Sequence, residues 1–161
     1  MNIIIAITLV TTYTLCLCVA NRHIPRSISQ AVFALPALGS WLWTLVIGAT
    51  AALSMPTLID ISTEGSRFLA FLACAGLLFV AFCPLDPKGR DMSYGVHMAG
   101  AYTCAVCSQL LVAVNQPWLL LLWIPWAFAF VWITKDERWL TAPFWAEVTC
   151  FASTFTYALI S

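Results

Sequence analysis

The chain has 161 residues, 62% of them hydrophobic and only 9% charged, with seven basic and seven acidic side chains and no formal net charge. A soluble domain carries about 25% charged and about 45–50% apolar residues, so this composition excludes a soluble enzyme, a nucleic-acid binder with a basic face and a disordered chain. With a mean hydropathy of +0.92, the sequence reads as an all-α, multi-pass membrane protein forming one transmembrane domain.

A helical span needs ~20 mostly apolar residues, because each adds ~1.5 Å against a ~30 Å hydrocarbon core. In lipid every backbone polar group must be satisfied within the segment. Six stretches qualify: 2–20, 31–54, 68–83, 95–114, 118–133 and 141–160. The first is uncharged and ends at the polar run Asn21-Arg22-His23-Ile24-Pro25-Arg26. No positive charge precedes it while two arginines follow, which is the pattern of an N-out anchor rather than of a cleaved leader. The second contains Pro36, where a kink is expected. It gives way to a group with Asp60, Glu64 and Arg67. Glu64 and Arg67 are three residues apart and could pair at a helix start.

The third span ends in Cys83-Pro84-Leu85-Asp86-Pro87-Lys88-Gly89-Arg90-Asp91, a run dense in turn formers. Asn115-Gln116-Pro117 is so short that the fourth and fifth spans should form a tight antiparallel hairpin. Pro125 should kink or break the fifth span, and Lys135-Asp136-Glu137-Arg138 separates it from the sixth. Arg22, Arg26, Lys88, Arg90, Lys135 and Arg138 all fall in the first, third and fifth loops, and only Arg67 falls on the other side. The positive-inside rule then places both termini outside. The compartment implied is a bacterial cytoplasmic (inner) membrane. Trp41, Trp118, Trp139 and Trp145 sit near span ends, where amphipathic rings favour the headgroup level.

Two ionisable residues fall within the spans, His97 and Glu147. Such groups are costly in lipid and usually face protein or water. The topology puts both at similar depth in the cytoplasmic leaflet. Each heads a helical stripe: Glu147, Cys150, Thr154 and Tyr157 on the sixth span, and His97, Gly100 or Ala101, Cys104, and Cys107 or Ser108 on the fourth. One reading makes both stripes helix–helix seams, with His97 bonded to a carbonyl. The sharper one makes a cytoplasm-facing polar pocket in which His97 and Glu147 exchange a proton or hold a ligand, with Asp86, Asp91, Cys150, Thr154 and Tyr157 around it. Gln109 could bond a neighbouring helix or sit at a homo-oligomer interface. The seven cysteines lie in or at the ends of apolar spans and form no disulfide framework by spacing.

No cofactor is expected. The alternative is zinc at the cytoplasmic mouth, held by Asp86 and His97, because carboxylate and imidazole suit it. Phosphate-binding loops, zinc-protease motifs and selectivity-filter sequences are absent from the sequence. The partners expected are the lipid bilayer and a second copy of the chain, not nucleic acid.

The runs Phe82-Cys83-Pro84-Leu85-Asp86 and His97-Met98-Ala99-Gly100-Ala101 resemble a pattern in bacterial multi-span proteins that are themselves distantly similar to the alkaline ceramidase and progestin/adiponectin receptor superfamily. There a Pro and an Asp end one span and a His begins the next. The resemblance covers about twenty residues. It implies an intramembrane zinc-dependent hydrolase of lipid amides, with Asp86 and His97 as site residues and Ser27 or Ser29 as a third. This chain departs from the pattern in having only two histidines, His23 and His97, so one chain cannot build a three-histidine zinc site. Three functions therefore stand at this point. One is a protein that binds or moves a small solute or lipid through a His97/Glu147 proton-active pair. The others are a metal-dependent lipid hydrolase and a non-catalytic assembly subunit.

Overall fold

The structure, a computed structural model, describes residues 1–32, 38–83, 92–132 and 135–161. Among these it is all-helical. Seven α-helices run in chain order: α1 (Asn2–Asn21), α2 (Ile28–Ala31), α3 (Leu38–Ile61), α4 (Arg67–Phe82), α5 (Met92–Asn115), α6 (Trp123–Trp132) and α7 (Lys135–Ile160). Two 3₁₀ segments, Glu64–Ser66 and Pro117–Leu122, precede α4 and α6. Four described segments, Asn2–Asn21, Trp41–Ile61, Glu64–Phe82 and Met92–Asn115, are long and apolar enough to cross a membrane. The stretch Pro117–Val131 is apolar but shorter. α7 opens with four charged residues and is not one of the four.

The helices pack in the order α1, α3, α4, α5, α7, and α7 also touches α1 and α3, which closes the bundle. Its interior is lined by Leu17, Trp43, Ile47, Leu77, Leu111 and Tyr157, all buried. The outward faces carry Leu15, Leu45, Phe79, Val106, Phe128 and Leu159, each more than half exposed. α4 and α5 make the closest seam. A Cβ on Gly76 would stand 2.6 Å from the Gly100 carbonyl oxygen and 2.7 Å from the Cys104 nitrogen, and one on Gly100 would stand 2.7 Å from the Gly76 carbonyl oxygen. Only the absence of side chains lets these backbones meet. The stripe through Gly100 and Cys104 therefore faces α4.

α1, α4 and α5 lie within three residues of the expected spans at each end. Elsewhere the helix bounds differ from those of the expected spans. The second span was expected at 31–54, but the helix there is Leu38–Ile61. It carries Pro56 in its interior and the exposed Asp60 near its end. Apolarity marks where lipid can lie, not where a backbone ladder stops. The fifth was expected as one helix over 118–133. It is a 3₁₀ segment followed by α6, with Pro125 in the first turn of α6, where its missing N–H costs no ladder bond. The run Lys135-Asp136-Glu137-Arg138, expected to separate the fifth and sixth spans, is helical and forms the first turn of α7. Lys, Glu and Arg are good helix formers and Asp suits a first turn, so the charges end the apolar run without ending the helix. Pro36 and the run 84–91, including Asp86 and Asp91, lie outside the described residues.

Candidate functional site

At the end of the bundle where α1 and α4 stop and α5 begins, the short helix α2 lies against α5 and α7. Its sequence Ser27-Ile28-Ser29-Gln30 has the spacing of an N-terminal capping box. Ser27 Oγ accepts from the Gln30 N–H at 3.1 Å, satisfying one donor that the helix itself cannot. α2 is also tied back to α1, because Asn21 Nδ2 donates to Leu17 O at 2.8 Å and to Ala31 O at 3.3 Å. Arg22, which closes α1, holds a left-handed backbone with φ 57° and turns the chain toward this segment.

Three hydrogen bonds pin residues 26–29 to the bundle. Pro143 interrupts the ladder of α7, and the N–H that follows it, on Phe144, donates to Arg26 O at 2.9 Å. One turn on, Glu147 Oε2 accepts from the Ile28 N–H at 2.6 Å. From α5, His97 Nε2 meets Ser29 Oγ at 3.2 Å. His97 and Glu147 thus engage adjacent residues of α2, and the structure brings them to one place through α2 rather than by a direct bond.

His97 is buried, at 2% exposure. Its Nδ1 lies 2.7 Å from Cys83 O, just past the end of α4. The last carbonyls of a helix lack intrahelical donors, and here side chains from α3 and α5 supply them. Trp43 Nε1 donates to Val80 O at 3.3 Å, Thr44 Oγ1 donates to Ala81 O at 2.9 Å, and His97 serves Cys83 O. A carbonyl only accepts, so Nδ1 carries the proton. In the neutral ring Nε2 is then the acceptor and the Ser29 hydroxyl donates to it. Among the described residues no group of three or more His, Cys, Asp or Glu side chains is arranged to hold a metal ion.

The remaining residues of the Glu147 stripe face the neighbouring helices. Thr154 Oγ1 donates to Cys150 O at 2.8 Å and accepts from Gln109 Nε2 at 3.4 Å. Tyr157 is buried, and its hydroxyl donates to Ile61 O at 3.2 Å, at the opposite end of the bundle. Gln109 is a hub within the chain. Its Oε1 accepts from Trp123 Nε1 and from Ser153 Oγ, both at 2.9 Å. Its Nε2 reaches Ser108 Oγ at 3.3 Å and Cys150 O at 3.4 Å. The amide joins α5, α6 and α7. All seven cysteines are free.

Of the residues singled out in the sequence, His97, Glu147 and Ser29 are brought together, and Ser27 supports them as the cap of α2. Cys150 and Thr154 lie on the same helix as Glu147 but bond to Gln109, and Tyr157 is remote from the site. Sequence reading missed the role of the Ile28 backbone and the partnership of Trp123 with Gln109. The Ser27–Gln30 capping spacing was the available signal for a helix inside what reads as a loop. Comparisons with protein-family models, curated proteins and solved structures give no match for this chain.

Proposed function

We propose that this chain is a six-span helical protein of a bacterial cytoplasmic membrane, with both termini outside, that binds or moves a small solute or lipid at the α2 site. In this reading His97 and Glu147 are the proton-active pair. Its main support is that two ionisable side chains from different helices engage adjacent residues of one short segment, Ser29 and Ile28. Further support comes from the charge distribution. Arg22 and Arg26 are exposed beside α2, and Lys88, Arg90, Lys135 and Arg138 fall in sequence at the same end of the helices. The 3₁₀ segment and α6 together extend ~27 Å at ~2.0 and ~1.5 Å per residue, close to a ~30 Å core.

The exposed arginines suit an anionic headgroup, so phosphatidylglycerol is the probe of choice. Retention of this lipid by the purified chain is measured by native mass spectrometry between pH 5 and pH 8 (a range of about three units around the histidine titration). Wild type is expected to retain it in a pH-dependent way, and Glu147→Gln to retain it with a flattened profile. Identical profiles for the two proteins would remove the proton role. A second reading, a non-catalytic assembly subunit, draws on the capping of Cys83 O by His97. It expects His97→Ala and Glu147→Ala to lower folding yield while lipid retention per folded chain stays constant.

A further inference from the structure

We propose that Ser29 is an activated nucleophile, with His97 as its general base, and that the pair transfers the acyl group of a lipid-borne carboxylic ester to water. The inference takes from the previous reading only the place of the site. It stands on the hydrogen-bond order of Cys83 O, His97 and Ser29. Cys83 O, 2.7 Å from Nδ1, fixes the proton on that nitrogen. The lone pair of Nε2 is thereby aimed at Ser29 Oγ, 3.2 Å away. A serine hydroxyl is a weak nucleophile unless an adjacent base takes its proton, and the base must itself be oriented by a third group. Here the third group is a backbone carbonyl, held at the end of α4 where the chain leaves a helix.

Exposure divides the pair in the sense this chemistry needs. His97 is 2% exposed and shielded from bulk water, whereas Ser29 is only half-buried. The segment carrying Ser29 is held on both sides of it. Ile28 is fixed by Glu147, and Gln30 by Ser27. The hydroxyl is therefore presented from a pinned backbone rather than from a free loop. The apolar outer faces of the helices favour a lipid-soluble acyl donor.

The steps balance without a further reagent except water. Ser29 Oγ bonds to the ester carbonyl carbon as its proton passes to Nε2. The carbon–oxygen bond to the alcohol portion then breaks, and that oxygen takes the proton from Nε2 and leaves as the alcohol. Water next attacks the acyl-serine while giving a proton to Nε2. The carbon–Oγ bond breaks, Oγ recovers the proton, and the carboxylic acid departs.

The test is labelling of the full chain in vesicles by an alkyl fluorophosphonate, with the modified residue located by peptide mass spectrometry. Label on Ser29, absent from Ser29→Ala, is expected. His97→Asn keeps a donor for Cys83 O but removes the base, so its labelling rate should fall about 10²–10⁴-fold, the usual contribution of a general base. No label on Ser29, or the same rate on Ser29 in a monodisperse His97→Asn protein, overturns the proposal. Should His97→Asn not fold, the mapped position in wild type and the Ser29→Ala control still decide it. Phosphatidylglycerol retention is read on the same preparations. Retention without labelling removes the nucleophile alone, and labelling without retention removes the binding reading alone.

Discussion

The α4–α5 seam gives the sharpest mechanical prediction, through Gly76→Ala. The added Cβ would lie 2.6 Å from Gly100 O and 2.7 Å from Cys104 N, and both are backbone atoms that no rotamer change can move. Reaching ordinary contact at 3.4 Å requires the helices to part by 0.8 Å, the difference between that distance and 2.6 Å. Overpacking of this kind costs about 1–3 kcal/mol. For a chain of this length that corresponds to a fall in Tm of about 2–4 °C per kcal/mol. The assay is thermal unfolding in detergent, followed by intrinsic tryptophan fluorescence. Gly48→Ala is the internal control. Its Cβ would meet nothing closer than Ala81 Cβ at 3.9 Å, so relief of helix-interior glycine entropy should raise stability by about 0.5–1 kcal/mol. The seam also sets the spacing between Cys83 O on the α4 side and His97 on α5. Gly76→Ala should therefore weaken phosphatidylglycerol retention as well as Tm. A Gly76→Ala protein as stable as wild type would refute the close-approach argument.

Two further substitutions test the polar joints. Gln109→Leu leaves the Trp123 indole N–H without its acceptor, while Ser153 keeps Thr149 O and Cys150 O. A loss of about 1–3 kcal/mol is expected, together with a changed tryptophan emission maximum in the folded protein, and an unchanged emission and Tm would contradict the hub. At the other end of the bundle Asn115 joins the α3–α4 turn to α5, accepting from Thr63 N at 3.3 Å and donating to Ser66 Oγ at 3.0 Å. Asn115→Ala should cost about 1–2 kcal/mol and increase amide exchange at residues 62–66. It should leave phosphatidylglycerol retention per folded chain intact, because the α2 site is at the far end.

The sequence carried the class of the molecule and much of its framework, for identifiable reasons. An uncharged apolar run such as 2–20 has only one way to satisfy its backbone in lipid, so α1 followed directly. The ends of α4 were legible because Arg67 and Cys83-Pro84 bracket the apolar run. α3 was not legible at its ends, since Asp60 sits exposed on the last turn without stopping the helix. The first turn of α7 was hidden for the same reason, as its four charged residues are compatible with a helix start while interrupting hydrophobicity. The mixed 3₁₀ and α character of 117–132 follows from the placement of Pro117 and Pro125, but hydropathy alone does not distinguish it from one helix.

The site was legible in part. Depth and topology singled out His97 and Glu147, yet no periodicity states what lies between helices that are neighbours. The connection runs through α2, a four-residue helix too short to produce a periodic signal. Its capping spacing from Ser27 to Gln30 is a local feature, while the bonds that matter, from Ile28 to Glu147 and from Ser29 to His97, span 119 and 68 residues. Contacts of that separation are written in packing rather than in pattern. Gln109 shows the same limit. Its burial in a span was evident, but its partner Trp123 could be chosen only by the fold.

The central claim is that His97 holds its proton on Nδ1, toward Cys83 O, and presents Nε2 to Ser29. Nitrogen-15 NMR of the histidine-labelled full chain reads this directly, because the sequence has only His23 and His97 and His23→Gln leaves one signal set. The account predicts an Nδ1-protonated neutral ring, with an Nε2 shift that moves on Ser29→Ala while Nδ1 keeps its hydrogen-bonded position. An Nε2-protonated ring, or an Nε2 signal indifferent to Ser29→Ala, would contradict it.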